Sequence, residues 1–382
     1  MGRTRGQARG LTHVPRPIRV LLIAQPFDAA GVPRHVLDIV EELHTDQRFE
    51  LTVACPLPSV LWDRVGRMPG VRRMRFTSHR APHPSDLLWL ARLLPLVRRS
   101  DVVHGHSSKA AWLGRAAALL TGRRASSVVT PHAWSFWAFS GAPRRALIAL
   151  ERLAAHACAT ILAVSRHERD EGLRLGVGRR EQYRVIPNGI NLQRWSRDRT
   201  PDRDVVLMVG RLAPQKRPEL AIRALALARH RRPTMRLVMA GSGELHDHVA
   251  TLATQLGVRD AVHLVGDTDD VPNLMAGAGC LLMTSVYEGC SLAILEAMGA
   301  GVPVVAVRFG GVDELVDDGV TGLLSGESPE DIAAALVRLA GDAEMADGMG
   351  EEGRRRAQEL YSRSRMAAGV AAVWETMAKR RA

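Results

Sequence analysis

Lysine is almost missing from this chain: only Lys109, Lys216 and Lys379 occur, against 49 arginines. Cysteine is scarce as well. Cys55, Cys158, Cys280 and Cys290 include no pair at C-x-x-C spacing, which argues against a disulfide framework or a zinc site built on them. They read as small buried apolar residues of a reducing compartment. No apolar run is long enough to cross a bilayer. The best candidate, residues 146–164, is broken by Glu151, Arg152 and His156. The apolar stretch 18–24 follows Arg3, Arg5, Arg9, Arg16 and Arg19, but it is too short for a signal peptide and no small-residue cleavage site follows it. It reads as a first strand behind a disordered basic tail, residues 1–16. G-x-G-x-x-G is absent after that strand, where the chain runs Gln25-Pro26-Phe27-Asp28-Ala29-Ala30-Gly31; this argues against a dinucleotide-binding dehydrogenase. Solenoid repeats and low-complexity tracts are absent too.

What remains is a chain of 382 residues, 46% hydrophobic and 24% charged, long enough for two α/β domains with a core each. Short, β-branched, nearly continuous apolar segments alternate with helical ones. Such strands suit a parallel sheet covered on both faces. Strands are predicted at 18–24, 51–55, 71–76, 101–105, 126–130, 160–165 and 183–187, then at 204–209, 236–240, 261–265, 280–284, 302–307 and 321–324. The polar stretch 188–204 separates the two series. The expected class is α/β, two Rossmann-like doubly wound domains facing across a cleft. The expected division is a domain over 17–190, a linker over 191–203, a domain over 204–362, and a final helix over 363–382 packing back on the first domain.

Charge is unevenly spread. Residues 1–195 carry 30 basic and 14 acidic side chains, a balance of +16, whereas residues 196–382 balance at −4. Three readings stay open at this level: nucleic acid, an anionic membrane or phosphate-bearing partner, and a merely solvated arginine-rich surface. The arginines are scattered and no nucleic-acid module accompanies them, so no nucleic-acid partner is expected.

The densest signal is Val286-Tyr287-Glu288-Gly289-Cys290-Ser291-Leu292-Ala293-Ile294-Leu295-Glu296-Ala297-Met298. It follows a strand and opens a helix. The free N–H groups at Ser291 and Leu292 suit an anion such as a diphosphate. Glu288 precedes the helix and Glu296 lies more than a turn inside it. Spacing alone leaves two readings, a pair of ligand-gripping acids or a capped helix with one surface glutamate. Upstream, Val209-Gly210-Arg211-Leu212-Ala213-Pro214-Gln215-Lys216-Arg217 ends a strand with an arginine and a lysine, which suit a diphosphate as fork and point charge.

In register, these segments resemble glycosyltransferase family 4 and its GT-B relatives. The first matches the family's Glu-x-x-x-x-x-x-x-Glu signature, with Cys290, Ser291 and Ala293 departing from the commonest residues. The second matches V-G-R-L-x-x-x-K-G, with Arg217 where glycine is usual, a departure that suggests altered loop geometry. Val185-Ile186-Pro187-Asn188-Gly189-Ile190-Asn191, Val238-Met239-Ala240-Gly241-Ser242-Gly243, Gly310-Gly311-Val312-Asp313-Glu314 and Gly319-Val320-Thr321-Gly322-Leu323 follow in family order. The resemblance covers roughly residues 17–362.

The resemblance implies a retaining enzyme moving a sugar from a nucleotide diphosphate donor, UDP favoured, to a hydroxyl acceptor. Glu288 inherits contact with the donor sugar and Glu296 with the ribose. Arg211 and Lys216 neutralise the leaving diphosphate at the Ser291–Leu292 helix start. His132, in Thr130-Pro131-His132, lies close to the donor sugar. Gly31 lets the backbone approach donor and acceptor, and Asp267 lies where relatives meet the base. Glu288, His132, Arg211 and Lys216 form the catalytic set. The donor is a substrate, and no cofactor or essential metal is implied. Asp267-Thr268-Asp269 is read as no metal site, and His104-Gly105-His106 as too small for one without further ligands. The helix around residues 87–99 mixes apolar and basic residues, so it suits a core or a membrane surface. The imbalance of residues 1–195 then points to a lipid-linked or anionic acceptor at the cytoplasmic membrane face, in polysaccharide or glycolipid assembly. The rivals are a nucleotide-sugar epimerase on the same fold and a basic nucleic-acid binder.

Overall fold

A computed structural model describes residues 16–25, 31–77 and 83–379. The strands run in chain order as β1 (Ile18–Ile23), β2 (Phe49–Cys55), β3 (Arg72–Arg75), β4 (Val102–His106), β5 (Ser127–Thr130), β6 (Thr160–Ala163) and β7 (Tyr183–Val185). A second series follows: β8 (Asp202–Val209), β9 (Arg236–Ala240), β10 (Val262–Gly266), β11 (Ala278–Met283), β12 (Val304–Val307) and β13 (Gly322–Ser325). The first series forms one sheet in the order β3-β2-β1-β4-β5-β6-β7, the second a sheet in the order β10-β9-β8-β11-β12-β13. Every strand pairing within them is parallel. Both are doubly wound, as the alternating apolar segments lead one to expect.

The central strands of each sheet are buried on both faces, which is why they read as nearly continuous apolar runs, whereas the edge strand β3 is mostly exposed and reads Arg72-Arg73-Met74-Arg75. On the first sheet Val20, Leu22, Leu51 and Val53 pack on one side, while Leu21, Ile23 and Ala54 pack with Trp89 and Leu93 on the other. On the second, Val206, Leu237 and Leu282 face one core and Leu207, Leu281 and Met283 the other.

The final helix, Arg363–Lys379, crosses back to the first sheet. Met366, Val370, Trp374 and Met377 share the core of Val20 and Leu22. The crossing is tied by Ile190 N–H to Tyr361 O and by Arg363 N–H to Ile190 O, both 2.8 Å. Gly189 permits it, because a Cβ there would lie 2.4 Å from the Ser362 carbonyl oxygen. Arg363 then pairs with Glu41 and Glu42 of the helix Gly31–Leu43.

Three local readings differ from the structure. The stretch read as a linker contains a one-turn helix, Leu192–Trp195, and Trp195 is buried against the helix Leu292–Ala300; one tryptophan is enough to dock a segment that lacks an apolar run. Strand β8 also starts two residues early, at Asp202. Arg16, assigned to the disordered tail, forks Asp101 through both terminal nitrogens at 3.0 and 3.1 Å. Burial opposes the charged form of Asp101, but hydrogen bonds from Arg16 and Arg19 outweigh it and hold the carboxyl at about 2. Residues 1–15 and Pro26–Ala30 lie outside the described residues, so the rest of the tail and most of the Gln25–Gly31 reading lie there too.

All four cysteines are free and buried, and burial pushes each thiol up, to about 11 or 12.

Candidate active site

In an open parallel sheet, a crevice forms at the carboxyl ends of the strands where the order reverses. Here the reversals fall between β1 and β4 in the first sheet and between β8 and β11 in the second. Segments leaving β1, β5 and β6 of the first sheet meet the segment leaving β11 of the second. Gly31 opens the helix after β1, and a Cβ placed on it would lie 3.7 Å from Leu292 Cδ1. Gly289 is pressed against Val164 and against the backbone of His132 and Ala133, where a Cβ would fall within 3.2 Å of all three. Glycine is needed here by close approach across the cleft.

On the second domain, Lys216 follows β8 and Glu288 follows β11. Lys216 Nζ donates to Glu288 Oε1 at 2.5 Å, and Ser285 Oγ donates to the same oxygen at 3.0 Å. Gln215 ties the two loops together: its Nε2 donates to Tyr287 O and its carbonyl accepts from Val286 N–H, both at 2.9 Å. Ser291 caps the helix Leu292–Ala300 without using its side chain on the backbone. The first N–H groups of that helix therefore remain free for an anion. Arg211 is exposed, near enough to act on the Tyr287 hydroxyl.

Arg217 adopts φ 46°, ψ 55°. The loop thus keeps the left-handed conformation that favours glycine, which corrects the expectation of altered geometry. Its guanidinium compensates by donating through Nε to Thr284 O at 2.8 Å.

Glu296 is half-buried and does not join Glu288. Burial pushes its carboxyl up to about 7, against the pull of Arg34 and Arg194. Asp267 is exposed and accepts from Ser242 N–H at 2.9 Å, so it shapes the loop after β9.

On the first domain, His132 follows β5 with φ 61°. It does not act alone. Its Nε2 is 3.1 Å from His106 Nδ1, and its ring stands 4.5 Å from that of His35. Among the described residues these three histidines form a cluster, with one nitrogen of each within 4.8 Å of the others. Burial drives all three toward the neutral form, His35 down to about 4 and His106 and His132 well below 6.5.

The residue-level reading missed His35 and Asn188, and it set His106 aside. His35 Nδ1 meets Asn188 Oδ1 at 2.9 Å, and Asn188 Nδ2 donates to Cys290 O at 2.7 Å. His104 separates from its neighbour: its Nε2 bonds Thr130 Oγ1 and its Nδ1 accepts from Trp374 Nε1. Period-two spacing on β4 put His104 and His106 on one face, a usable signal; the approach of His35 from another element left none.

Two further acids organise the domain contact. Glu314 accepts from Arg166 and His167 N–H at 2.9 and 2.6 Å, capping from the second domain the helix Arg166–Arg174 of the first. Glu168 accepts from Ala133 N–H and Val164 N–H at 2.6 and 2.8 Å, which fixes the turn that carries His132.

Residues 29–194 match the family model Glycosyltransferase Family 4, and residues 190–356 match Glycosyl transferases group 1. The GDP-mannose-dependent alpha-(1-6)-phosphatidylinositol monomannoside mannosyltransferase of Mycolicibacterium smegmatis is 29% identical over 88% of this chain and 92% of its own. The UDP-Gal:alpha-D-GlcNAc-diphosphoundecaprenol alpha-1,3-galactosyltransferase of Escherichia coli is 28% identical over 82% and 85%. The crystal structure of Anabaena Alr3699/HepE in complex with UDP and glucose has the same fold, with a TM-score of 0.82 over 94% of this chain and 100% of that one, at 21% identity. With two doubly wound sheets meeting at their switch points and the two family models laid end to end along the chain, this protein belongs to glycosyltransferase family 4 and is a glycosyltransferase of the GT-B fold.

Proposed function

We propose that this glycosyltransferase takes its sugar from a nucleoside diphosphate donor, UDP-linked by preference, and transfers it with retention to a hydroxyl of a lipid-linked or anionic acceptor. The observation that carries the reading is the Lys216–Glu288 pair beside the open helix start at Ser291, across the cleft from His132. Breaking the anomeric bond builds negative charge on the diphosphate. Arg211, Lys216 and the N–H groups after Ser291 are preorganised to meet it, without an essential metal. Glu288, released by Lys216, accepts hydroxyls of the donor sugar, and Glu296 serves the ribose. Neutral His132 offers a hydrogen bond to the sugar instead of a charge. With the acids engaged and the histidines neutral, the leaving phosphate takes the acceptor's proton on the front face.

Among the described residues no helix is long and apolar enough to cross a membrane. The helix Ser85–Arg99 instead exposes Leu87 at 74% and Leu88 at 51% on the same helix as exposed Arg92, Arg98 and Arg99. Within the +16 first half, this supports peripheral attachment at an anionic cytoplasmic face. The curated relatives named above act, by their names, on phosphatidylinositol monomannoside and on a diphosphoundecaprenol-linked sugar, which supports a lipid-linked acceptor in glycolipid or polysaccharide assembly.

Thermal stabilisation by a panel of UDP, GDP and ADP sugars tests the donor. A ligand at a hundred times its Kd stabilises by about 2.7 kcal/mol, a clear shift in Tm. UDP sugars should give the largest shift; stabilisation by GDP sugars alone would reassign the base.

A further inference from the structure

The histidine trio has a property that sugar transfer does not use. The side-chain amide of Asn188 is oriented by its Nδ2–H bond to the Cys290 carbonyl, which leaves Oδ1 facing His35. Oδ1 can only accept, so His35 Nδ1 carries the ring proton and His35 Nε2 is a bare lone pair. That Nε2 is buried and has no hydrogen-bond partner. Leaving such a group unmatched is costly, and the orphan calls for an occupant or a function. A ring whose tautomer is fixed by a carbonyl, packed with its centre 4.5 and 5.5 Å from those of two further imidazoles, is the arrangement that prepares histidine to bind a metal ion.

We propose that His35, His106 and His132 form a binding site for one divalent first-row transition ion of the zinc class. The ligands are His35 Nε2, His106 Nδ1 and His132 Nε2, and the fourth position lies on the side of half-buried His132, toward the cleft. The proton now shared between His106 Nδ1 and His132 Nε2 moves to the outer nitrogen of the ring that holds it. Both inner lone pairs then reach the ion with no net proton loss. Zinc–nitrogen bonds of about 2.0–2.1 Å put tetrahedral nitrogens about 3.3 Å apart. The trio, within 4.8 Å, closes on an ion by ring shifts of about 1 Å. Neutral nitrogen ligands favour zinc, cobalt and nickel over magnesium or calcium. His104 is excluded because both its nitrogens are engaged. If His132 serves the donor sugar, as under the proposed function, an ion held there withdraws it and inhibits transfer.

The test is a Co2+ titration of the full chain, followed by visible absorption and by X-ray absorption at the cobalt edge. One ion per chain is expected, with the intense bands of tetrahedral cobalt and three imidazoles in its shell. His35→Ala should weaken binding at least tenfold, whereas His246→Ala/His248→Ala, an exposed pair, should leave it unchanged. Absence of saturable binding, fewer than three imidazoles, or unaltered binding by folded His35→Ala each overturns the site. The imidazole count needs only the unmodified protein, so it decides the matter even if a variant fails to fold. Zn2+ added to the transfer assay separates the two readings. An occupied trio with undiminished transfer removes His132 from the donor site and leaves the metal site standing. Transfer without any ion binding does the reverse.

Discussion

Lys216 and Glu288, 72 residues apart, close an ion pair of 2.5 Å between the loops that leave β8 and β11. Under the proposed function donor binding parts this pair, giving the ammonium to the diphosphate and the carboxylate to the sugar. Both side chains are only about one-sixth exposed, at 17% and 16%. Lys216→Ala and Glu288→Ala should each lower kcat/KM at least about 100-fold, or about 2.7 kcal/mol of transition-state stabilisation. The fold should survive, at a cost of about 1–2 kcal/mol read by urea denaturation. Near-normal turnover in either variant would dismiss the donor-site assignment.

Chelation should leave transfer intact. The proposed function meets the diphosphate charge with Arg211, Lys216 and a helix start, and Asp267 accepts from Ser242 N–H. A chelator titration of the transfer rate checks this. Complete loss, restored by added Mg2+ or Mn2+, would bring Asp267 and Asp269 back as metal ligands.

Arg217 holds a left-handed backbone at φ 46°. For a non-glycine residue that costs about 1 kcal/mol, and its Nε bond to Thr284 O returns about as much. Arg217→Gly should therefore change stability by less than about 1 kcal/mol. Arg217→Val, which keeps the strain and loses the bond, should cost at least about 2 kcal/mol. Equal effects of the two substitutions in thermal melts would show that strain is not what the arginine offsets.

His35, His104, His106 and His132 are all held below the usual 6.5 by burial first. In the unfolded chain they take up protons below about 6.5, whereas in the folded chain they do not. Their joint contribution therefore makes stability fall as pH drops from about 6.5 toward about 4. Glu168 and Glu296, both pushed up to about 7 by burial, act in the opposite sense over an overlapping window: they bind protons in the folded chain first, so their share of stability is lost as pH rises toward 7. Histidine protonation should add no acid limb to transfer near 6.5, so a limb close to 7 would belong to Glu296 or Glu168. Ring resonances of the four histidines, followed by NMR, should stay flat from about pH 5.5 to 8. A midpoint near 6.5 in any of them would mean that its ring is open to water.

Vesicle co-sedimentation addresses the membrane reading. Each Arg near anionic headgroups is worth about 1 kcal/mol, screened within about 10 Å at 0.1 M salt. Binding should appear with anionic vesicles, fall steeply with salt and be absent with neutral ones. Leu87→Ser/Leu88→Ser should weaken it without altering stability, since both leucines are exposed. Indifference to anionic vesicles at low salt would end the proposal of peripheral attachment.

The doubly wound architecture and the order of strands along the chain were legible in the sequence because they depend on local periodicity. Short apolar β-branched runs such as Val102-Val103 and Val304-Val305-Ala306-Val307, bounded by polar residues or glycine and proline, favour strands buried on two faces. Lys216, Glu288 and the Ser291 helix start could be picked out as candidates as well, but spacing from a strand end left their role open and the family resemblance assigned it. Tertiary structure alone decided the rest. Which strands neighbour one another sets where the switch points lie, and these bring Gly31 to Leu292 and Gly289 to His132. The same packing draws His35, His106 and His132, from three separate elements, into one buried cluster and turns Asn188 to fix a tautomer. No local pattern encodes those meetings, since they arise from how two sheets dock and burial follows from that docking. His106 and His104 differ in role for the same reason: they share a strand and a face, and only the approach of Trp374 to one and His132 to the other tells them apart.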